Sequence, residues 1–306
     1  MRALLPGQGG VRRLAAIATR GGRAGRVLVQ FGVSIFPTDY SMELAQLGRE
    51  VEGHGFDVLF FPEHTHIPVS RLSPWPGGPN LPKNYWHTID PFIASAIVSA
   101  NTSRLRSGPG ICLLVQRDPI TTAREVASAD FVSGGRLLFG IGGGWNLEEM
   151  ANHGTDPSKR FKIMRERVLA MKKIWTEDEP EFHGAYVNFD PMWSWPKPIQ
   201  KPHPPILIGG NGDRVLQRVA EYGDVWMPNH GRGSISERMI ELNRMAAERG
   251  RGPIPVWVFT CPQTPEAIEQ YQAAGVERCI FAMPSAGADE IVPLLDRLAE
   301  LTSHFR

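Results

Sequence analysis

The chain is poor in cysteine. Its 306 residues hold three, Cys112, Cys261 and Cys279, each inside an apolar strand-like run and none in a C-x-x-C pair. That scarcity excludes a disulfide framework and a cysteine-built zinc site, and it predicts buried, reduced thiols in a cytoplasmic protein. Net charge is nearly absent as well: 33 basic against 32 acidic residues leave +1. No broad field therefore draws nucleic acid or anionic lipid, and neither partner is expected. No uninterrupted apolar run approaches the ~18 residues of a membrane span. No G-x-G-x-x-G follows the first strand-like segment, which argues against a nicotinamide-binding Rossmann fold. The first 26 residues lack acid altogether while carrying Arg2, Arg12, Arg13, Arg20, Arg23 and Arg26. A basic, solvated, disordered extension over 1–26 is the expectation, with a targeting segment as its alternative, ahead of a single domain over 27–306.

What the chain does have is alternation. Apolar strand-like runs at 27–35, 58–61, 106–115, 137–141, 205–208, 224–227, 255–260 and 278–283 alternate with helical patterns. Those helices are expected at 41–54, 91–100, 119–132, 158–175, a stretch ending at Tyr222, 234–249, 264–274 and 288–301. Ser41 and Asp90 serve as predicted caps, with Pro91 in the first turn. Strand and helix in strict turn imply parallel pairing with right-handed crossovers. Eight units in one α/β domain predict a closed (β/α)8 TIM barrel, the open doubly wound sheet being the alternative. Insertions follow strand 2 (a Pro- and Gly-rich loop, 67–86) and strand 4, the latter including a hairpin-like stretch at 181–189.

In such a barrel, chemistry gathers at the C-terminal strand ends. After strand 2 stand Glu63 and His64; a histidine beside a carboxylate suits proton transfer near neutral pH, with a packed structural histidine as the bland alternative. His66, two residues on, has no further close ligand, so no metal site is expected. After strand 4 the glycine run Gly140, Gly142, Gly143 and Gly144 leads to Trp145 and Asn146, and glycines so dense suggest close approach by a large flat or anionic ligand. Gly142, Gly144 and Asn146 are accordingly candidate cofactor contacts. Gly209-Gly210-Asn211-Gly212 before a helix is a candidate phosphate seat. Phe36, Trp75, Trp86, Trp145 and Trp226, near strand ends or in the long loop with Tyr85, are candidate walls of an apolar substrate pocket.

The ordered set of motifs resembles the bacterial luciferase-like superfamily of flavin- and deazaflavin-dependent oxidoreductases. Its carriers are Phe31-Gly32-Val33, Gly55-Phe56-Asp57 with Pro62-Glu63-His64, Arg117-Asp118-Pro119 with 127–130, and Ser133-Gly134-Gly135-Arg136. They continue through 140–146, Pro196-Lys197-Pro198 with Gln200, Pro204-Pro205-Ile206 with Gly209-Gly210, and Tyr222-Gly223-Asp224-Val225-Trp226. The likeness runs from Phe31 to about Leu301 and implies a (β/α)8 barrel. It also implies that His64 serves proton chemistry or cofactor contact, with Glu63 as the acid beside it. Gly110-Ile111 falls where relatives carry a non-proline cis peptide that supports a tricyclic ring, and 209–211 match the segment holding the cofactor phosphate. Gly142 and Trp145 depart from relatives that carry a reactive cysteine or a catalytic glutamate there, so neither of those chemistries transfers.

The motif style is similar to the coenzyme F420 subgroup. An F420-dependent oxidoreductase acting by hydride transfer on a small organic substrate is the expectation. The alternative is a flavin mononucleotide (FMN)-dependent monooxygenase served by a separate reductase. The resemblance also implies dimerisation through barrel helices. Two further classes stay open: a phosphate-binding lyase or isomerase, for which Lys83, Lys159 and Lys162 are poorly placed, and a non-catalytic flavin-retaining protein.

Overall fold

A computed structural model describes residues 28–231 and 233–306; the basic segment 1–26 lies outside the described residues. The chain runs β1 (Gln30–Ser34), α1 (Leu44–Gly53), β2 (Val58–Phe61), α2 (Pro91–Ala100), β3 (Arg106–Pro109), α3 (Pro119–Val132) and β4 (Phe139–Ile141). It continues α4 (Leu147–Asn152), α5 (Arg160–Thr176), a hairpin of β5 (Phe182–His183) and β6 (Asn188–Phe189), β7 (Ile206–Gly209) and α6 (Val215–Tyr222). The last elements are β8 (Val225–Met227), α7 (Ile235–Ala247), β9 (Trp257–Val258), α8 (Pro265–Ala274), β10 (Arg278–Ala282) and α9 (Ala288–Ser303).

Apart from the β5–β6 hairpin, the strands pair in parallel, in the orders β3-β2-β1-β10-β9 and β4-β7-β8. Two seams join these arcs into a ring. Ser107 bridges Leu137 between β3 and β4, and Trp226 bridges Val256 between β8 and β9, both in parallel register. The fold is the eight-stranded barrel that alternation predicts. Strand alternation then divides the side chains. Val58, Phe60, Leu138, Leu207, Val225, Met227, Trp257, Phe259 and Ile280 fill the interior, with Phe60 against Phe259 at 5.6 Å. Their neighbours Leu59, Phe139, Ile208, Trp226 and Phe281 face outward into the helical layer.

Local chemistry sets most helix starts. Asp90 accepts from the amides of Phe92 and Ile93, Asp118 from Thr121, and Thr264 from Ala267, each with proline in the first turn. Ser41 is not a cap: its hydroxyl binds Thr38, and Glu43 instead caps α1 through the Ala45 and Gln46 amides. The third strand stops at Pro109, short of the expected Val115, because the cis peptide at Gly110–Ile111 and a 3-10 turn over Leu114–Gln116 divert the chain. The helix α4 stands where sequence periodicity shows only an insertion. No helix among the described residues is long and apolar enough to cross a membrane.

One carboxylate ties α1 to the barrel. Glu52 accepts from the amides of Ser103 (3.0 Å), Arg104 and Leu105 (2.8 Å), just before β3. Burial alone would raise its pKa, yet these donations hold it at about 2, below an ordinary 4.5. A depressed carboxyl pKa stabilises the fold above the unfolded value and loses that contribution as pH falls through the folded one. Glu52→Gln is therefore expected to lower the melting temperature at pH 7, and the gap from wild type closes between about pH 4.5 and 2, as read by thermal unfolding monitored by circular dichroism.

Candidate active site

His64 follows β2 by three residues and is buried. Its Nδ1 lies 2.7 Å from Oε2 of Glu149, which is wholly buried in α4. Its Nε2 lies 3.2 Å from the Trp145 indole nitrogen. An indole N–H only donates, so Nε2 is the acceptor and Nδ1 carries the proton given to Glu149. The imidazole is thus a neutral base whose lone pair is covered by Trp145. Burial pushes the Glu149 carboxyl up, but the His64 hydrogen bond, with the Thr65 amide at 3.0 Å, brings it below the ordinary range.

The acid beside His64 is therefore Glu149, and the pairing expected with Glu63 does not form. Glu63 is buried with its oxygens taken by the Leu113 amide (2.6 Å) and by Arg117 (Nε at 2.8 Å). Arg117 also reaches Asp90 and Glu125. Successive residues leaving a strand point to opposite sides, which separates Glu63 from His64.

Aromatic rings close over the histidine. Tyr85 is the hub: its ring centroid is 5.2 Å from His64, 4.7 Å from Phe36, 5.6 Å from Trp75 and 6.4 Å from Trp145. The long loop delivers Trp75 and Tyr85, and α4 pins it, since Glu148 accepts from Ser70 and from the Ser73 amide at 2.7 Å. Phe36, Trp75 and Trp145 stand together as the sequence suggests. Trp86 does not, being 50% exposed beside His87. It follows Tyr85 in a 3-10 turn, so one ring faces in and the next faces out. Trp226 is also misplaced by the sequence reading, because strand alternation turns it outward from β8, where its indole donates to Gly210 O at 3.0 Å.

The Gly110–Ile111 peptide is cis. The Ile111 side chain sits between Gly142 and Gly209, where an added Cβ would come within 2.4 Å and 2.8 Å of it. Both glycines thus make a seat for the Ile111 side chain. Gly144 has φ +69° and leads into α4, while Asn146 spends its side-chain oxygen capping that helix at Glu149 N. Among the predicted cofactor contacts, Asn146 is thus occupied locally.

Past β7 the picture differs. Apart from the adjoining residues, no heavy atom of the described residues stands within 4 Å of where a Cβ would project from Gly210 or Gly212. The Asn211 side chain is fastened to the backbone of Asn229, and α6 begins only at Val215, after a turn rather than directly. A cavity of about 250 Å3 opens beside Asn211, lined by Trp226, Asn229, His230, Ser234 and Tyr271 among others, and it shares no lining residue with the cluster around His64. Near Glu149 the buried Gln116 amide helps to lower that carboxyl's pKa, yet neither its nitrogen nor its oxygen has a close hydrogen-bond partner among the described residues. Sequence reasoning singles out Gln116 only by its place after a strand and Glu149 only as one of two paired acids, and assigns neither a role. The only available signals were the paired acids after Trp145 and the polar residue ending an apolar run.

The luciferase-like monooxygenase profile matches residues 25–294, and the chain belongs to that family. The uncharacterised protein Rv0953c of Mycobacterium tuberculosis is 36% identical over 276 residues, covering 89% of this chain and 98% of its own. From the same organism, the F420-dependent hydroxymycolic acid dehydrogenase is 27% identical over 221 residues, 71% of this chain and 56% of that protein. The FMNH(2)-dependent dimethylsulfone monooxygenase of Pseudomonas putida is 29% identical over 137 residues, 43% and 38%. Among solved structures, monooxygenase RslO1 from Streptomyces bottropensis superposes with TM-score 0.73 at 19% identity over 91% of this chain and 100% of its own. The family thus includes both F420-dependent and FMNH2-dependent oxidoreductases.

Arg117 is the only cation whose hydrogen bonds reach Glu63 among the described residues. Arg117→Met is expected to destabilise the protein by about 3–5 kcal/mol in urea unfolding, because it strands a buried carboxylate. The double variant Glu63→Gln, Arg117→Met recovers most of that loss.

Proposed function

We propose that this member of the luciferase-like monooxygenase family is an oxidoreductase that uses coenzyme F420 for hydride transfer with a small organic substrate, His64 exchanging the accompanying proton. The observation that carries the reading is the hydrogen bonding of His64: Nδ1 is held by a buried carboxylate and Nε2 faces the Trp145 indole within a group of aromatic rings. A base so held is primed to take a hydroxyl proton once Trp145 yields its place, and Glu149, 2.7 Å from Nδ1, is placed to take up the Nδ1 proton in turn.

The residues present suit a flat, phosphorylated cofactor. The bulge at Gly110–Ile111 offers a backbone platform beside β4 and β7, and the unsatisfied Gln116 amide offers a donor and an acceptor to a polar ring edge. The open positions at Gly210 and Gly212 leave room for a phosphate. Bound there, the deazaflavin supplies or accepts the hydride. Phe36, Trp75, Tyr85 and Trp145 exclude water from the His64 lone pair and favour an apolar or aromatic substrate body. The F420 relative supports this reading over 71% of the chain, against 43% for the FMNH2 relative. An FMN-dependent monooxygenase supplied by a separate reductase is the second reading, favoured by that shorter match, which is 29% identical against 27%.

Titration of the purified protein with oxidised F420 and, separately, with FMN, followed by fluorescence, tests the assignment. Saturable binding of F420 with weak or no FMN binding is the expected result, and the reverse preference overturns it. His64→Ala is expected to leave F420 affinity within about threefold of wild type while lowering turnover of any accepted substrate by about 10²–10⁴-fold.

A further inference from the structure

The buried pair at the site has a continuation toward solvent. The second oxygen of Glu149, Oε1, accepts from the Thr65 amide at 3.0 Å and faces the Thr65 hydroxyl at 3.3 Å. That hydroxyl lies 2.8 Å from His153 Nε2 and 2.9 Å from His66 Nδ1. His66 Nε2 in turn meets the Asn152 side-chain amide at 2.8 Å, and the two surface imidazoles are 5.5 Å apart. Two short segments supply every member: the residues leaving β2 (His64, Thr65, His66), and α4 (Glu149, Asn152) with His153, the residue that caps its C-terminus. Burial grades along the series, from Glu149 with no exposure and His64 at 8%, to exposed Thr65 and His153.

We propose that Thr65, with His153 and His66, is a proton relay joining the buried His64–Glu149 pair to bulk water. The inference rests on the reading of His64 as the proton-exchanging group. A carboxylate that only oriented the histidine would need no hydroxyl shared with two titratable rings. A hydroxyl both donates and accepts, so it can hand a proton either way. The transfer balances as follows. A substrate O–H gives its proton to His64 Nε2, and the Nδ1 proton moves to Glu149 Oε2. A half-turn of the carboxyl carries that proton to the Thr65 side. There it passes to Thr65 Oγ1 as the threonine's own proton goes to His153 Nε2 or His66 Nδ1, and then to water. No electron moves along this path; the hydride leaves the substrate separately. Burial and the neighbouring His66 lower the His153 pKa, which keeps that ring ready to accept at neutral pH.

The test uses the full chain labelled with ¹⁵N-histidine, with His64 signals assigned by loss in His64→Asn, and reads the exchange of the His64 Nδ1 proton with water by magnetisation transfer. Thr65→Val is expected to slow that exchange about tenfold or more while the nitrogen shifts keep the same tautomer, and Thr65→Ser restores it to within about twofold. The double variant His66→Gln, His153→Gln, confined to the outer end, is expected to slow it as well. Exchange unchanged in Thr65→Val, or in the double variant should the first not fold, overturns the relay. Neither cofactor nor substrate enters the measurement. Failure of the relay with normal F420 binding therefore removes only the path, and failed F420 binding with relay-dependent exchange removes only the cofactor assignment.

Discussion

A buried carboxylate donated by a helix of six residues holds the site together. Glu149 has no solvent to stabilise its charge, so its oxygens must be satisfied by neighbours, and the nearest donors belong to a segment 84 and 85 residues earlier in the chain. That requirement draws the end of β2 against α4. It fixes which His64 nitrogen bears the proton and leaves the other to face Trp145. The packed barrel interior supplies the rigid floor against which this polar pair is set.

Beneath it, a second buried carboxylate does a different job. Glu63 and Arg117 join the end of β2 to the turn after β3, and Arg117 extends to α2's cap at Asp90 and to Glu125 on α3. Two adjacent residues, Glu63 and His64, thus serve separate purposes: one braces the barrel rim and the other faces the rings. The same economy appears at Ile111, whose side chain fills the notch between Gly142 and Gly209 while its backbone forms the bulge.

The barrel was legible wherever the signal was local. Asp90-Pro91, Asp118-Pro119 and Thr264-Pro265 mark helix starts by capping chemistry that needs no tertiary context, and the inward and outward residues of the strands follow from period-two alternation. The site was legible in part. His64, Phe36 and Trp145 converge because strand-end position is a topological rule, and the long loop brings Trp75 to them through Tyr85. What failed were inferences from adjacency and from residue type alone. Glu63 is next to His64 in sequence yet on another side of the backbone, and Trp226 sits at a strand end but on the outward register. The helix α4 is too short for periodicity to declare it, and the contact that defines it is long-range. The glycine run is informative, but the space it makes is filled by Ile111 and neighbouring side chains.

Neighbouring carboxylates on α4 bind two different things. Glu148 grips the long loop through Ser70 and Ser73, while Glu149 grips the histidine. Both hang from a single turn of backbone, so any shift of that turn moves the long loop and His64 together. The position of the long loop and the hydrogen bonding of the histidine are thus mechanically geared in this protein: neither can be reset without carrying the other along.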